Sequence, residues 1–205
     1  MIARTAILLM ACSLVVARGP AAQSPRALLD RASADFIAGR IAASVDGFDR
    51  VIREDPSAAP YLWQRGIALY YAGRYQDCRR QFEQHRTVNP DDVENAAWHF
   101  LCVARAESTE KARAALLPVG PDARRPMAEV YRMFAGTLTE AQVTAAAGAE
   151  PSAQFFAHLY IGLYLEATGD ARRSRERMAD AAAERFAVAG GYMHDVARVH
   201  IALRR

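Results

Sequence analysis

Two stretches of the chain, GRIAASVDGFDRVIREDP at residues 39–56 and GRYQDCRRQFEQHRTVNP at residues 73–90, follow one pattern. Each begins with a glycine, carries a phenylalanine and ends with a proline, and the second stretch begins 34 residues after the first. The glycine is typical of a turn that ends a helix, and the phenylalanine of the inner face of the next helix. The proline ends that helix, because it lacks a backbone donor and clashes with the preceding turn. This period predicts an array of helix-turn-helix repeats.

The pattern predicts where the repeats lie. The first repeat is expected from about Pro25 to Pro56, and the second places Trp63 and Gly66 on its first helix. Gly66 allows two helices to approach closely where a side chain would separate them. A third repeat is expected to begin at Asp91–Asp92, where an acidic residue can cap a helix. The sequence therefore predicts an all-α solenoid of helix pairs.

The repeat pattern is lost between residues 118 and 149 and then returns. Apolar residues in this segment recur at helical spacing, which predicts an amphipathic helix, and a further short helix is expected from Thr139. Gly162 and Gly169 stand seven residues apart, as Gly66 and Gly73 do, and predict another helix pair. We expect a last helix from Tyr192 to about Leu203 to cap the solenoid. The apolar positions are Met127, Val130, Tyr131 and Phe134 in the irregular segment, and Val196, Val199 and Leu203 in the last helix.

The N-terminal residues are typical of an export signal. Arg4 is followed by a mostly apolar run from Ala6 to Ala17 and by small residues suited to cleavage. A membrane-spanning helix needs about 20 apolar residues, so this run is too short to be one. We therefore expect residues 1–22 to be a signal peptide, residues 23–205 to form one domain without a membrane span, and the protein to be periplasmic or secreted. Cys12 lies in a partial lipobox, so lipoprotein anchoring is the alternative.

The composition argues against nucleic acid as a partner. The chain has 26 basic and 23 acidic residues, for a net charge of +3, and Lys111 is its only lysine. The arginines alternate with acidic residues, as in RRSRER at 172–177, whereas nucleic-acid-binding proteins concentrate positive charge on one face.

The residue types of catalytic and metal sites occur without a recognised motif. The chain contains no HExxH, GxSxG, CxxC or phosphate-binding loop, so we expect no enzymatic activity, no cofactor and no metal. Cys78 and Cys102 fall on adjoining helices, where each is either a small core residue or half of a disulfide. An enzyme with a site in residues 118–149, near Arg125 and Glu129, is a further alternative.

Aromatic residues on the first helices suggest a binding surface. In such arrays the first helices line a concave groove, and exposed Trp and Tyr side chains are favoured anchors for a bound peptide. Packing against a neighbouring helix is the alternative role for these side chains. The candidate groove residues are Trp63, Tyr70, Tyr71, Trp98 and Tyr160.

Residues 25–117 and 155–186 resemble tetratricopeptide (TPR) repeats. More narrowly, WHFLC at 98–102, DARRPMAEVY at 122–131 and the Tyr192–Met193 and ARVH (197–200) positions resemble a family of uncharacterised TPR-like proteins from bacteria and plant plastids. That resemblance implies an all-helical fold and no established activity. A looser likeness is to exported TPR adaptor lipoproteins of bacterial envelopes.

These observations favour a non-enzymatic, exported scaffold that binds a protein or peptide partner in the aromatic groove. We expect a monomer or a weak homo-oligomer. The alternative function is a self-associating structural protein.

Overall fold

The structure, a computed structural model that describes residues 24–204, is built of α-helices in that range and contains no strand there. The predicted all-α fold is confirmed. The predicted signal peptide and Cys12 lie outside the described residues, and within them no helix is both long and apolar enough to cross a membrane. The helices are α1 Pro25–Ile37, α2 Ile41–Glu54, α3 Trp63–Tyr71, α4 Tyr75–His85, α5 Val93–Ala106, α6 Thr109–Ala114, α7 Met127–Phe134, α8 Glu140–Ala147, α9 Pro151–Thr168, α10 Ala171–Ala181, α11 Ala187–Gly190 and α12 Tyr192–Leu203.

Helices that are neighbours in sequence pack as pairs, and the pairs stack. The pairs are α1 with α2, α3 with α4, α5 with α6, and α9 with α10, while α2–α3 and α4–α5 contacts join successive pairs. A short 3₁₀ segment, Pro56–Tyr61, links the first two pairs. The result is a solenoid-like array, as the 34-residue spacing predicts.

The turn glycines have the backbone conformation that their position requires. Gly39 and Gly73 have φ angles of 74° and 73°. These values lie in the left-handed region, where a side chain is strained and glycine is not. Each turn thus reverses the chain within a few residues and sets the two helices of a pair side by side.

The segment from residue 118 to 149 also folds into helices. A loop reaches Pro126, after which α7 packs against α5 and α9, and α8 packs against α7 and α9. Met127, Val130 and Phe134 are completely buried, and Tyr131 is partly buried against the core. The segment therefore supplies a helix pair between the third pair and α9, where the repeat pattern is lost.

The last helix closes the array. Helix α12 packs against α10 and α11 and also contacts α1, at the opposite end of the sequence. Val196 and Val199 are buried as predicted, whereas Leu203 is 42% exposed because it lies in the final turn of the helix. The array thus brings its last helix onto its first.

Gly66 provides a test of the packing between α3 and α4. A Cβ atom at this position lies 2.6 Å from two ring carbons of the buried Phe82. We expect Gly66→Ala to lower the free energy of unfolding by about 1–3 kcal/mol through overpacking, measured by urea denaturation. The double variant with Phe82→Leu should lose less unfolding free energy than the two single variants lose in sum, since the shorter side chain removes the clash. Strict additivity would contradict this packing.

Candidate functional site

Three of the five aromatic residues predicted to line an open groove are buried inside the molecule, and the other two are partly buried. Tyr70 and Tyr160 are fully buried and Trp98 is 1% exposed, so the prediction that these three face a groove is wrong. The reason is that α9 and α12 cover the first-helix surface. Trp63 and Tyr71 are partly buried against the core, and the ring of Trp63 meets that of Tyr192 edge-on at 5.2 Å.

Three tyrosine hydroxyl groups connect helices that are distant in sequence. The Tyr70 hydroxyl donates to Glu166 Oε2 at 2.7 Å, and the Tyr160 hydroxyl donates to Glu94 Oε2. The Tyr71 hydroxyl lies 3.0 Å from His200 Nδ1. Buried hydroxyl groups are costly without a partner, so these bonds fix how α9 and α12 sit on α3 and α5.

A cavity remains where the covering is incomplete. It has a volume of about 250 Å³ and lies between α3, α4, α5 and α12. Its walls combine aromatic and apolar side chains with two carboxylates and two amides, a mixture typical of ligand sites. The lining residues are Trp63, Phe82, His85, Asn89, Asp92, Glu94, Asn95, Trp98 and Met193.

The α4–α5 seam holds one wall of this cavity. Cys78 and Cys102 form a disulfide across the seam, with their Cα atoms 5.8 Å apart. One helical turn further along each helix, the rings of Phe82 and Trp98 stack with centroids 6.3 Å apart and planes 14° apart. Residues four apart share a helix face, so the disulfide fixes the register of the two aromatic rings.

A chain of hydrogen bonds runs along the edge of the cavity. His85 Nδ1 lies 2.8 Å from the Pro60 carbonyl oxygen, and its Nε2 lies 3.4 Å from Asn89 Nδ2. Asn89 Nδ2 also donates to Asp92 Oδ2 at 2.9 Å. The other carboxylate oxygen of Asp92 accepts a hydrogen bond from the Glu94 backbone N–H at 3.0 Å and thereby caps α5. The polar side of the cavity is thus tied to the N-terminus of α5.

Arg124 holds the acidic groups at the mouth of the cavity. Its Nη2 donates to Asp92 Oδ1 and to Asp122 Oδ2, both at 2.6 Å, and its Nη1 donates to Glu94 at 2.5 Å. Its guanidinium also lies 5.6 Å from the ring centroid of Phe156. A second, more open recess of about 360 Å³ is lined by Asn89, Asp91, Asp92, Pro121, Asp122, Ala123 and Arg124. The recess and the cavity share Asn89 and Asp92, so together they form a cavity with an acidic mouth.

Burial changes the ionisation of these groups. Loss of water and the nearby Asp92 raise the pKa of Glu94 despite the guanidinium of Arg124. Burial also raises the pKa of Tyr160, and Glu94 adds to this effect. Burial opposes ionisation of Asp122, but hydrogen bonds from Arg124 outweigh it and lower the pKa of Asp122. Glu94 therefore gives up its proton less readily than an exposed glutamate does.

The indole of Trp98 has an unmet hydrogen bond. Its Nε1 atom is buried and has no partner within the described part of the chain. Buried donors in proteins are almost always paired. The atom is fully buried, so it lies behind the cavity wall and is not exposed to the cavity.

A larger recess of about 460 Å³ on another side of the molecule is a weaker candidate. Three of its nine lining residues are arginines, and Glu166 in its wall already accepts from Tyr70 and pairs with Arg204 at 3.0 Å. The recess lacks the aromatic walls that give the first cavity its binding area.

Arg125 and Glu129, near which the alternative enzymatic site was expected, do not pair with each other. Arg125 donates to the Ala146 carbonyl oxygen at 2.6 Å rather than pairing with Glu129. Within residues 24–204, no group of three or more His, Cys, Asp and Glu side chains is placed to hold a metal ion. The arrangement around the cavity can bind and orient a molecule.

The cavity contains functional candidates that local sequence patterns do not reveal. Those patterns indicate Trp63 and Trp98 as aromatic candidates and Asp92 as a helix cap, but they indicate no role for Glu94 or Arg124. The ion pairs of Arg124 with Asp92 and Glu94 join residues 30–32 positions apart. No local spacing in the sequence signals such contacts.

Comparison with known proteins gives no further assignment: no protein-family model matches the chain, and no curated protein gives a significant match.

The disulfide leads to a test of the seam. The Cys78→Ser/Cys102→Ser variant should lose about 2–4 kcal/mol of unfolding free energy, because the unfolded chain is no longer cross-linked. Chemical denaturation measures the loss, and peptide mapping by mass spectrometry of the parent should find Cys78 linked to Cys102. As a control, the parent treated with a reductant should melt like the variant. Two free thiols in the oxidised parent would contradict the pairing.

His200 leads to a test of the packing of α12. Burial lowers the pKa of His200 to about 4, and Arg204 acts in the same direction while Glu166 opposes it. The unfolded chain, with a histidine pKa of about 6.5, therefore binds a proton more readily than the folded chain. Stability from this group is complete above about pH 6.5 and is lost as the pH falls towards 4.

Between pH 7.5 and 5, His200 should account for about 2 kcal/mol of lost stability. The measurement is urea denaturation of the parent and of His200→Gln at both pH values, since only the parent retains this titrating group. The difference in stability between the two proteins should shrink at pH 5. Equal losses in both proteins would contradict burial of a neutral His200.

Proposed function

We propose that this protein is a non-enzymatic, TPR-like scaffold that binds a protein partner, and that the cavity beside Trp63 and Trp98 receives one side chain of that partner. The single observation that carries the proposal is the cavity itself. It has aromatic walls and a carboxylate edge. The 34-residue period and the stacked helix pairs support a TPR-like origin.

The size of the cavity favours a side chain over a larger ligand. A volume of about 250 Å³ lies below the range of roughly 300–1,000 Å³ that is typical of drug-sized ligands. Protein interfaces often concentrate their binding energy where one residue fills a desolvated pocket, and Trp is among the residues enriched there. The more open recess beside the cavity gives the rest of the partner a place to continue across the surface.

We propose in addition that the scaffold works outside the cytoplasm. The apolar run that follows Arg4 supports export, and so does the Cys78–Cys102 disulfide, since disulfides persist mainly in oxidising compartments.

The two tryptophans of the chain provide the test, because both line the cavity and their fluorescence reports its occupancy. A library of short peptides is selected on the parent protein, and the affinities of the selected peptides are measured by fluorescence titration. We expect Asn89→Tyr, which places a bulky ring where the cavity meets its mouth, to weaken binding at least tenfold.

Gln84→Tyr is the matched control, because Gln84 is exposed on α4 and does not line the cavity. It should bind the selected peptides as the parent does. Peptides that bind the parent and Asn89→Tyr equally would place the partner on another surface and overturn the proposal. Failure to enrich any peptide over an unrelated bait protein would count against it in the same way.

A further inference from the structure

We infer that the cavity recognises the free N-terminal residue of the partner chain. The α-ammonium group lies at Asp92 and Glu94, and the first side chain lies between the aromatic walls. This inference rests on the proposed function and names the chemistry of the partner.

The negative charge of the site favours a cationic ligand. Four carboxylates, those of Asp91, Asp92, Glu94 and Asp122, lie in the walls of the cavity and its mouth, and Arg124 is the only basic side chain there besides the ring of His85. Glu94 has lost most of its water, with 16% of its side chain exposed. A desolvated carboxylate gains more from an incoming cation than one in water does.

The apolar walls of the cavity favour a ligand with an apolar group beside its cation. Trp63, Phe82 and Trp98 supply aromatic surface, and Met193 on α12 supplies a flexible apolar side chain. Aromatic rings attract a nearby ammonium group as well as apolar surface. A site of this kind fits a ligand in which the two are adjacent.

The separation of the charged and apolar groups distinguishes an N-terminal residue from a lysine side chain. In the first residue of a chain, the ammonium group and the side chain are both bonded to the same Cα atom. In lysine the ammonium group ends the side chain itself, so a lysine has no separate apolar side chain to place between the aromatic walls of a cavity of about 250 Å³.

The test uses two probes that differ only at the amino group, phenylalanine amide and N-acetyl-phenylalanine amide. Each is titrated into the full chain at pH 7 and low salt, with tryptophan fluorescence as the readout. We expect the free amine to bind at least tenfold more tightly than the acetylated probe. A selected peptide, synthesised with a free and with an acetylated N-terminus, should show the same ratio.

Variants assign the charge requirement to the site. Glu94→Gln should weaken binding of the free amine at least tenfold and leave binding of the acetylated probe unchanged. Glu110→Gln, on the exposed surface of α6, should change the affinity for neither probe. Since Glu94 also bonds Tyr160 and Arg124, Asp91→Asn is the second variant. Asp91 is exposed at the mouth of the cavity. Its replacement should weaken binding of the free amine about two- to threefold with no change in melting temperature.

The outcomes separate this inference from the proposed function. If selected peptides respond to Asn89→Tyr but bind equally with free and acetylated N-termini, the cavity is a side-chain site and the inference is overturned. If an acetylated peptide binds through an internal lysine, the inference is also overturned. If no peptide responds to Asn89→Tyr, the proposed function fails whatever the state of the N-terminus.

Discussion

Buried tyrosine hydroxyl groups hold helices α9 and α12 against α3 and α5. Tyr70, Tyr71 and Tyr160 lie on first helices, and each hydroxyl group finds its partner on a helix that is far away in sequence. A phenolic hydroxyl group deprived of both water and a partner would cost several kcal/mol on apolar transfer scales. The closed arrangement of α9 and α12 satisfies all three groups at once. The inner face of the array is therefore a core of the protein.

The cavity is a consequence of that closure. Met193 reaches the cavity wall because α12 lies across the first helices, and Trp98 is held in register by the disulfide one turn away. Asp92 has two roles, since its Oδ1 atom caps α5 and also accepts a hydrogen bond from Arg124. The site is thus built from elements that also stabilise the fold.

The parts of this protein that could be predicted from sequence are those fixed by local chemistry. Gly73 marks its turn because only glycine adopts its backbone conformation without strain, and Thr139 and Asp92 begin their helices by accepting backbone N–H groups. The candidate site could be predicted only in part. Trp63 and Trp98 were identified as aromatic residues of first helices, but an open surface was expected around them. The closure of α12 onto α1 and the reach of Arg124 across some 30 residues depend on tertiary geometry, which the repeat period does not specify.

The contact between α1 and α12 also bears on how the molecule comes apart. An open repeat array frays from its ends, because a terminal repeat has a neighbour on only one side. Here each terminal helix shields the other, so that loosening either one exposes apolar surface on both. Opening at one end therefore costs more than it would in an open array. The contact couples the two ends and makes the array more cooperative than a row of independent repeats.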